Sequence, residues 1–288
     1  MNAIQVLVPA PAGGGLNAER FYAERDHRTR VSAPLTTEPF PVALVLPREV
    51  ERSAGAHLAL LWAASMLRRM GRAFAGVRVV TSDEARRSVC LSPPAYMADG
   101  CTLEDAVSTE LRHADPFAPV AWMNLEAPGA LVGIRMALWL GGAPYPHMDV
   151  PPLGHVVAGA SGWVCTISTA ATSPGDTSRS GVALEGAASA VIAAAALAVG
   201  EVYRAAHPGL LPGGPRPERV WVALDTGQAS TDPEEGLDWL LRGGASEMPR
   251  PWRASQGAAP RIDHLAVVSA GALGGNAARI LGRSYLEI

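Results

Sequence analysis

The sequence predicts the α/β class, with a mostly parallel sheet and flanking helices. Three observations carry this. Pro41 to Leu46 is a continuous apolar run bounded by prolines, a helical pattern from Ala54 to Met70 follows it, and Gly76 to Val80 is a second apolar run. Strand, helix and strand in that order form a βαβ unit, whose crossover makes the two strands parallel. A continuous apolar strand is one covered on both faces, as in a parallel sheet. The third observation lies at the other end. Ile262 to Val268, the glycine turn from Ser269 to Gly275 and Asn276 to Leu281 again give strand, turn and helix start, a Rossmann-like arrangement.

The elements follow in order. Residues 1–40, with Gly13, Gly14, Gly15 and a charged stretch from Glu19 to Arg30, are expected to be an N-terminal arm. A Rossmann-like domain is expected over 41–242. Within it, Thr102 and Asp105 have capping-box spacing for a helix reaching about His113. Ala130 to Leu140, His155 to Ala160 and Trp163 to Ser168 have strand-like composition. A Ser/Thr/Gly-rich loop, Thr169 to Gly181, precedes a long helix predicted over Leu184 to Ala206, whose alanines give high propensity and allow close packing. Arg219 to Leu224 is a predicted strand. Asp232, Pro233 and Glu235 supply N-cap, first-turn proline and N3 acid for a helix through Leu241. Residues 243–261 lack periodicity and are expected to be a linker. Residues 262–288 would then be the truncated strand, glycine turn and helix of a second unit, which stops before any crossover helix could return to a parallel strand.

Composition excludes several functions. All 24 basic residues are arginine, so chemistry that needs a lysine within the chain is absent: Schiff bases, the P-loop lysine and the kinase phosphate lysine. A GC-rich coding bias explains the composition, but the exclusion holds whatever its origin. The net charge is −3 and the arginines are interspersed with acids, so no nucleic-acid footprint is present. Cys90, Cys101 and Cys165 are odd in number and lack CxxC spacing, which argues against a disulfide framework or structural zinc and for a reducing, cytoplasmic compartment. Ala187 to Gly200, the longest apolar stretch, is too short for a membrane span, and the first 20 residues have no signal-peptide pattern.

Ser269, Gly271 and Gly274 match GxGxxG with serine in the first glycine position, and Gly275 extends the turn; these four are the candidate nucleotide-binding residues. The acid that should follow about 20 residues later falls beyond Ile288. The opening unit instead carries Pro47-Arg-Glu-Val-Glu-Arg-Ser-Ala-Gly55, a bulky, acidic turn that would repel phosphate. Asp83, just past the second strand, reads as a helix cap more simply than as a ribose ligand. Neither GxSxG nor HExxH occurs, and His113 with Asp115 and His147 with Asp149 are insufficient as metal signatures. His57, His264, Cys165, Trp163 and Trp221 are expected in the core. No catalytic residue and no metal ligand is assigned.

Ser161-Gly-Trp163-Val-Cys-Thr-Ile-Ser168, the alanine-rich stretch ending Val-Gly-Glu-Val-Tyr-Arg204, and the Ser269 to Gly274 turn resemble bacterial ThiF-type proteins, relatives of ubiquitin-activating enzymes. Some members join an inactive first adenylation fold to an active second one. The missing lysine, the degraded first turn and the truncated second unit depart from the active pattern. The resemblance therefore implies a pseudo-adenylation domain that scaffolds, dimerises or docks a ubiquitin-like protein. It would bind no cofactor alone, with ATP and magnesium entering only if an active adenylation domain completes the site. A homodimer or heterodimer is expected, with no nucleic acid or membrane as partner. The alternatives are a Rossmann-type nucleotide- or NAD-dependent small-molecule enzyme completed by another chain, and an unrelated α/β domain that matches by composition.

Overall fold

A computed structural model describes residues 17–21, 39–70, 74–94, 96–117, 120–169, 184–206, 218–224 and 226–245. In chain order the main elements are β1 (Phe40–Val45), α1 (Ala54–Arg69), β2 (Phe74–Thr81), α2 (Asp83–Arg87), α3 (Leu103–Ala114), β3 (Val120–Asn124), β4 (Met136–Leu140), β5 (His155–Gly162), β6 (Val164–Ser168), β7 (Leu184–Gly186), α4 (Ala188–Ala206), β8 (Arg219–Ala223), β9 (Gln228–Ser230) and α5 (Pro233–Ala245).

Among the described residues these strands form one nine-stranded sheet, ordered β3-β2-β1-β4-β5-β6-β8-β9, with β7 also paired to β5. The first five strands of that order pair in parallel, and β5-β6, β6-β8 and β8-β9 are antiparallel. The expected α/β class with a Rossmann-like, mostly parallel sheet and flanking helices is what the chain adopts.

The alternation of side chains along β1 builds two cores. Phe40, Val42 and Leu44 face a large apolar core shared with α1, α3 and α4, while Ala43 and Val45 face a smaller one. The second face is covered by loops: Leu125, Ala130, Leu131 and Ile134 pack on Val80, Ala137 and Trp139. Arg78 fixes that cover by donating to the carbonyls of Ala130 at 3.0 Å and Val132 at 2.8 Å.

Local chemistry explains the helix boundaries. Ser53 caps α1, accepting from the N–H of Ala56, and the predicted box at α3 forms in both directions between Thr102 and Asp105. The Asp232 side chain accepts from the N–H of Glu234 at 2.9 Å and Pro233 opens α5, as predicted, although this helix runs past Leu241 to Ala245.

Three expectations change. The strand predicted over Ala130 to Leu140 begins only at Met136, because 130–134 form turns and Gly133 has φ +76°. The helix predicted from Leu184 starts at Ala188, and Leu184–Gly186 is a strand paired with β5. Finally, α4 is long and apolar enough by length and composition to cross a membrane, beyond the shorter stretch counted in the sequence. Its Ala190, Ala194, Ala195, Ala198 and Val202 are nevertheless fully buried in the core it shares with α1 and the sheet.

Candidate functional site

In open α/β sheets ligands bind outside the carboxyl ends of the strands, at the point where strand order reverses. Here the order 3-2-1-4-5 reverses between β1 and β4. The candidate site is therefore bounded by the β1–α1 turn, the start of α2 and the loop after β4.

The β1–α1 turn closes on itself through Val50 N–H to the Pro47 carbonyl at 3.1 Å and Ser53 N–H to the Val50 carbonyl at 2.9 Å. It carries two carboxylates and two arginines, Arg48 paired with Glu126 and Arg52 with Glu84. Glu51, 7% exposed, accepts from the Ser82 hydroxyl at 2.6 Å; Ser82 in turn caps α2 by accepting from the N–H of Ala85 at 3.0 Å. Glu49 accepts from the hydroxyl of Tyr145, 96 residues away, at 2.9 Å, and the same phenol oxygen accepts from the Arg48 N–H at 3.0 Å. Tyr145 thus ties the loop after β4 across the turn, and Gly142 fits beneath because a Cβ there would come 3.0 Å from Pro47 Cγ. Burial, reinforced by Glu49, pushes the Tyr145 phenol up to about 12, so it remains a hydrogen-bond donor at neutral pH.

The N-terminus of α1 is the usual phosphate seat in such folds. It is filled by the chain itself. β4 pairs with β5 over His155 to Ala158, and β7 takes the next stretch of β5, Ala160 to Gly162, so β7 lies in line beyond the carboxyl end of β4. The Leu184 carbonyl accepts from the Ser53 hydroxyl at 3.3 Å, and a Cβ at Gly55 would stand 2.0 Å from that oxygen. A phosphate there would meet the Leu184 backbone carbonyl, in a turn whose two carboxylates are balanced by Arg48 and Arg52. That carbonyl does not fit a phosphate at this helix N-terminus, and no chemical step is derived through one.

The other candidates divide. Ser269, Gly271, Gly274, Gly275 and His264 lie outside the described residues. His57 is a core histidine, as expected: Nε2–H donates to the Glu51 carbonyl at 2.8 Å and Nδ1 accepts from the Leu91 N–H at 3.0 Å. Burial holds its pKa below the usual histidine value. Cys165 is buried in β6 and its thiol is pushed up to about 11 by burial, which makes it an inert apolar residue. Trp221 is in the core, but Trp163 is only half-buried, because it occupies the turn between β5 and β6. Asp83 opens α2 behind the true cap, Ser82, and accepts from the Asn124 amide at 2.9 Å. His113 is exposed on α3, whereas Asp115 is its buried C-cap. His147 stacks on Tyr145 with ring centroids 5.5 Å apart. Among the described residues no group of three or more His, Cys, Asp or Glu could hold a metal ion.

Sequence reasoning noticed the acidic turn but missed Tyr145 and β7. The signal available for Tyr145 was Gly141-Gly142 directly after an apolar strand, which marks a tight loop at the switch point.

The fold and this site define a mixed α/β protein with a Rossmann-type switch point closed by its own chain. No family model and no curated protein matches the sequence. Among solved structures, E. coli MccB is similar at a TM-score of 0.41 and 12% identity, over 67% of this chain and 62% of that one. The chain thus spans less than two thirds of that protein. The structure of E. coli MccB with ATP gives 0.40 and 12%, over 65% and 62%. Selenomethionine PaaA gives 0.42 and 10%, over 74% and 76%. At these scores and identities the likenesses carry no functional argument.

Proposed function

We propose that this chain is the non-catalytic scaffold or dimerisation half of a bacterial ubiquitin-like modifier activating protein. It presents a folded pseudo-adenylation surface to a ubiquitin-like protein or to an active adenylation domain, in the cytoplasm, and leaves ATP and magnesium to that partner. The class of partner comes from the sequence resemblance to ThiF-type proteins. The observation that supports a non-catalytic role is the filled switch point: the Leu184 carbonyl stands against Ser53 and Gly55 at the N-terminus of α1, the usual phosphate seat.

Calorimetry of the full chain with millimolar ATP and magnesium, and separately with NAD, tests this. The expected result is no binding heat in either titration. Micromolar binding of either nucleotide would overturn the non-catalytic reading and favour a Rossmann-type small-molecule enzyme. The partner is tested by co-expression with the neighbouring genes of the native host. Recovery of a complex with an adenylation domain or a small β-grasp protein supports the scaffold reading, and recovery of neither counts against it.

A further inference from the structure

We propose that Cys90 and Cys101 form a redox latch, a reversible disulfide that closes the base of the 90–101 loop, whose Leu91 and Ser92 hydrogen-bond to the first turn of α1. The backbone places the two residues opposite one another. Val89 and Thr102 form an antiparallel bridge, with Cys90 N–H donating to the Cys101 carbonyl at 2.8 Å and Leu103 N–H to the Ser88 carbonyl at 2.9 Å. One step inward, Cys90 stands against Cys101 through that single hydrogen bond, while the Cys101 N–H turns to the Ala98 carbonyl at 3.3 Å. Opposed residues of the hydrogen-bonded kind in an antiparallel pair point to the same side with Cα atoms roughly 5.5 Å apart, inside the range that a disulfide spans. Both side chains pack on the same apolar core, and neither cysteine is in a disulfide.

The loop is joined to the switch point. Leu91 N–H donates to His57 Nδ1 at 3.0 Å, His57 donates to the Glu51 carbonyl, and the Ser92 hydroxyl donates to the Ala54 carbonyl at 3.0 Å. The Tyr96 hydroxyl reaches Glu110 on α3. A covalent bond across the base of the loop therefore narrows the positions from which Leu91 and Ser92 meet the first turn of α1. The same loop presents Leu91 and Tyr96 to solvent beside the exposed Val89.

The chemistry needs a small disulfide such as oxidised glutathione. Cys101, the more exposed of the pair, loses its proton and attacks one sulfur of the reagent, giving a mixed disulfide and one glutathione thiolate. Cys90 then loses its proton and attacks Cys101 Sγ, releasing the second thiolate. Two protein thiols are oxidised, one reagent disulfide is reduced, and the two protons end on the released thiols. Burial and the nearby carboxylate of Asp105 raise the Cys101 thiol above its ordinary value, so the latch closes slowly at neutral pH and faster in mild alkali.

The test incubates the full chain with oxidised glutathione, alkylates remaining thiols and maps the peptides by mass spectrometry. The expected product lacks two hydrogens, links Cys90 to Cys101 and leaves Cys165 alkylated. Its Tm rises by about 5 °C, reversed by dithiothreitol. Hydrogen exchange at Leu91 and Ser92 slows on oxidation. Cys165→Ser retains the whole response and Cys101→Ser abolishes it. Glutathione adducts without an internal bond, a bond to Cys165, or a Cys90–Cys101 bond that lowers the Tm would each overturn the proposal.

Discussion

Replacing Gly55 with alanine sets two effects of opposite sign against each other. Gly55 lies in the first turn of α1, and on an isolated helix alanine is favoured over glycine by about 1 kcal/mol. In the folded chain the new methyl carbon would stand 2.0 Å from the Leu184 carbonyl oxygen, 3.1 Å from its carbon and 3.4 Å from Val191 Cγ2. Carbon contacts are comfortable at roughly 3.5 Å or more, so α1 and β7 must part by more than about 1 Å. Both sides are backbone held in regular structure, which leaves no flexible side chain to yield. Overpacking of this kind costs about 1–3 kcal/mol, and losing the Ser53 to Leu184 hydrogen bond costs about 1 kcal/mol more. The clash outweighs the helical gain. A net loss of about 2 kcal/mol lowers the Tm by roughly 4–8 °C for a domain of this size. Thermal unfolding followed by circular dichroism measures the shift, with hydrogen exchange at 184–186 reporting whether β7 has come away. Gly200→Ala is the control, since Gly200 is exposed in α4 with nothing within 4 Å of its added Cβ, and it should raise the Tm by roughly 2–4 °C. If both variants are stabilised equally, the close approach of β7 to α1, and with it the filled phosphate seat, is refuted.

Three further outcomes follow from the same packing. His57 and His155 are buried with pKa values lowered by desolvation, and the Trp139 indole N–H donates to His155 Nδ1 at 3.0 Å. The unfolded chain therefore binds protons that the folded chain refuses, so the histidine contribution to stability is intact above the ordinary pKa of about 6.5 and is lost as pH falls through the lowered folded values. Urea midpoints at pH 7.5 and 5 that coincide would contradict this. Gly236→Ala in α5 drives a Cβ to 2.2 Å from the Trp221 ring, which should detach α5 from β8, shift Trp221 fluorescence and cost about 1–3 kcal/mol; an unchanged spectrum and Tm would refute the contact. Ala195→Arg places a charge at a fully buried position of α4 in the large core, and should unfold the chain rather than merely split a dimer. A folded, monomeric Ala195→Arg variant on light scattering and circular dichroism would return that face of α4 to an interface.

The elements legible in the sequence are those whose causes are local. β1 was marked by an apolar run between prolines, α3 by the Thr102/Asp105 pair, and α5 by Asp232 and Pro233; each is set by residues within one or two turns of the chain. β7 and β9 are three residues long, too short for a period to register, and β3 is a half-exposed edge strand rather than a continuous apolar run. The burial of α4 shows the limit of composition. The sequence made the helix apolar on more than one face, which reads equally as a core element or a subunit contact, and only the docking of α1 beside the sheet decided that Ala195 and Ala198 are core. The candidate nucleotide turn from Ser269 to Gly275 was legible as a motif but lies outside the described residues. The closed switch point was decided by tertiary structure. The bulky, charged turn from Pro47 to Ser53 was visible in the sequence, but its closure depends on Glu49 meeting Tyr145 across 96 residues and Ser53 meeting Leu184 across 131. Pairings at such separations leave no periodicity along the chain, because they are set by which strands become neighbours in the sheet and not by what stands beside them in sequence.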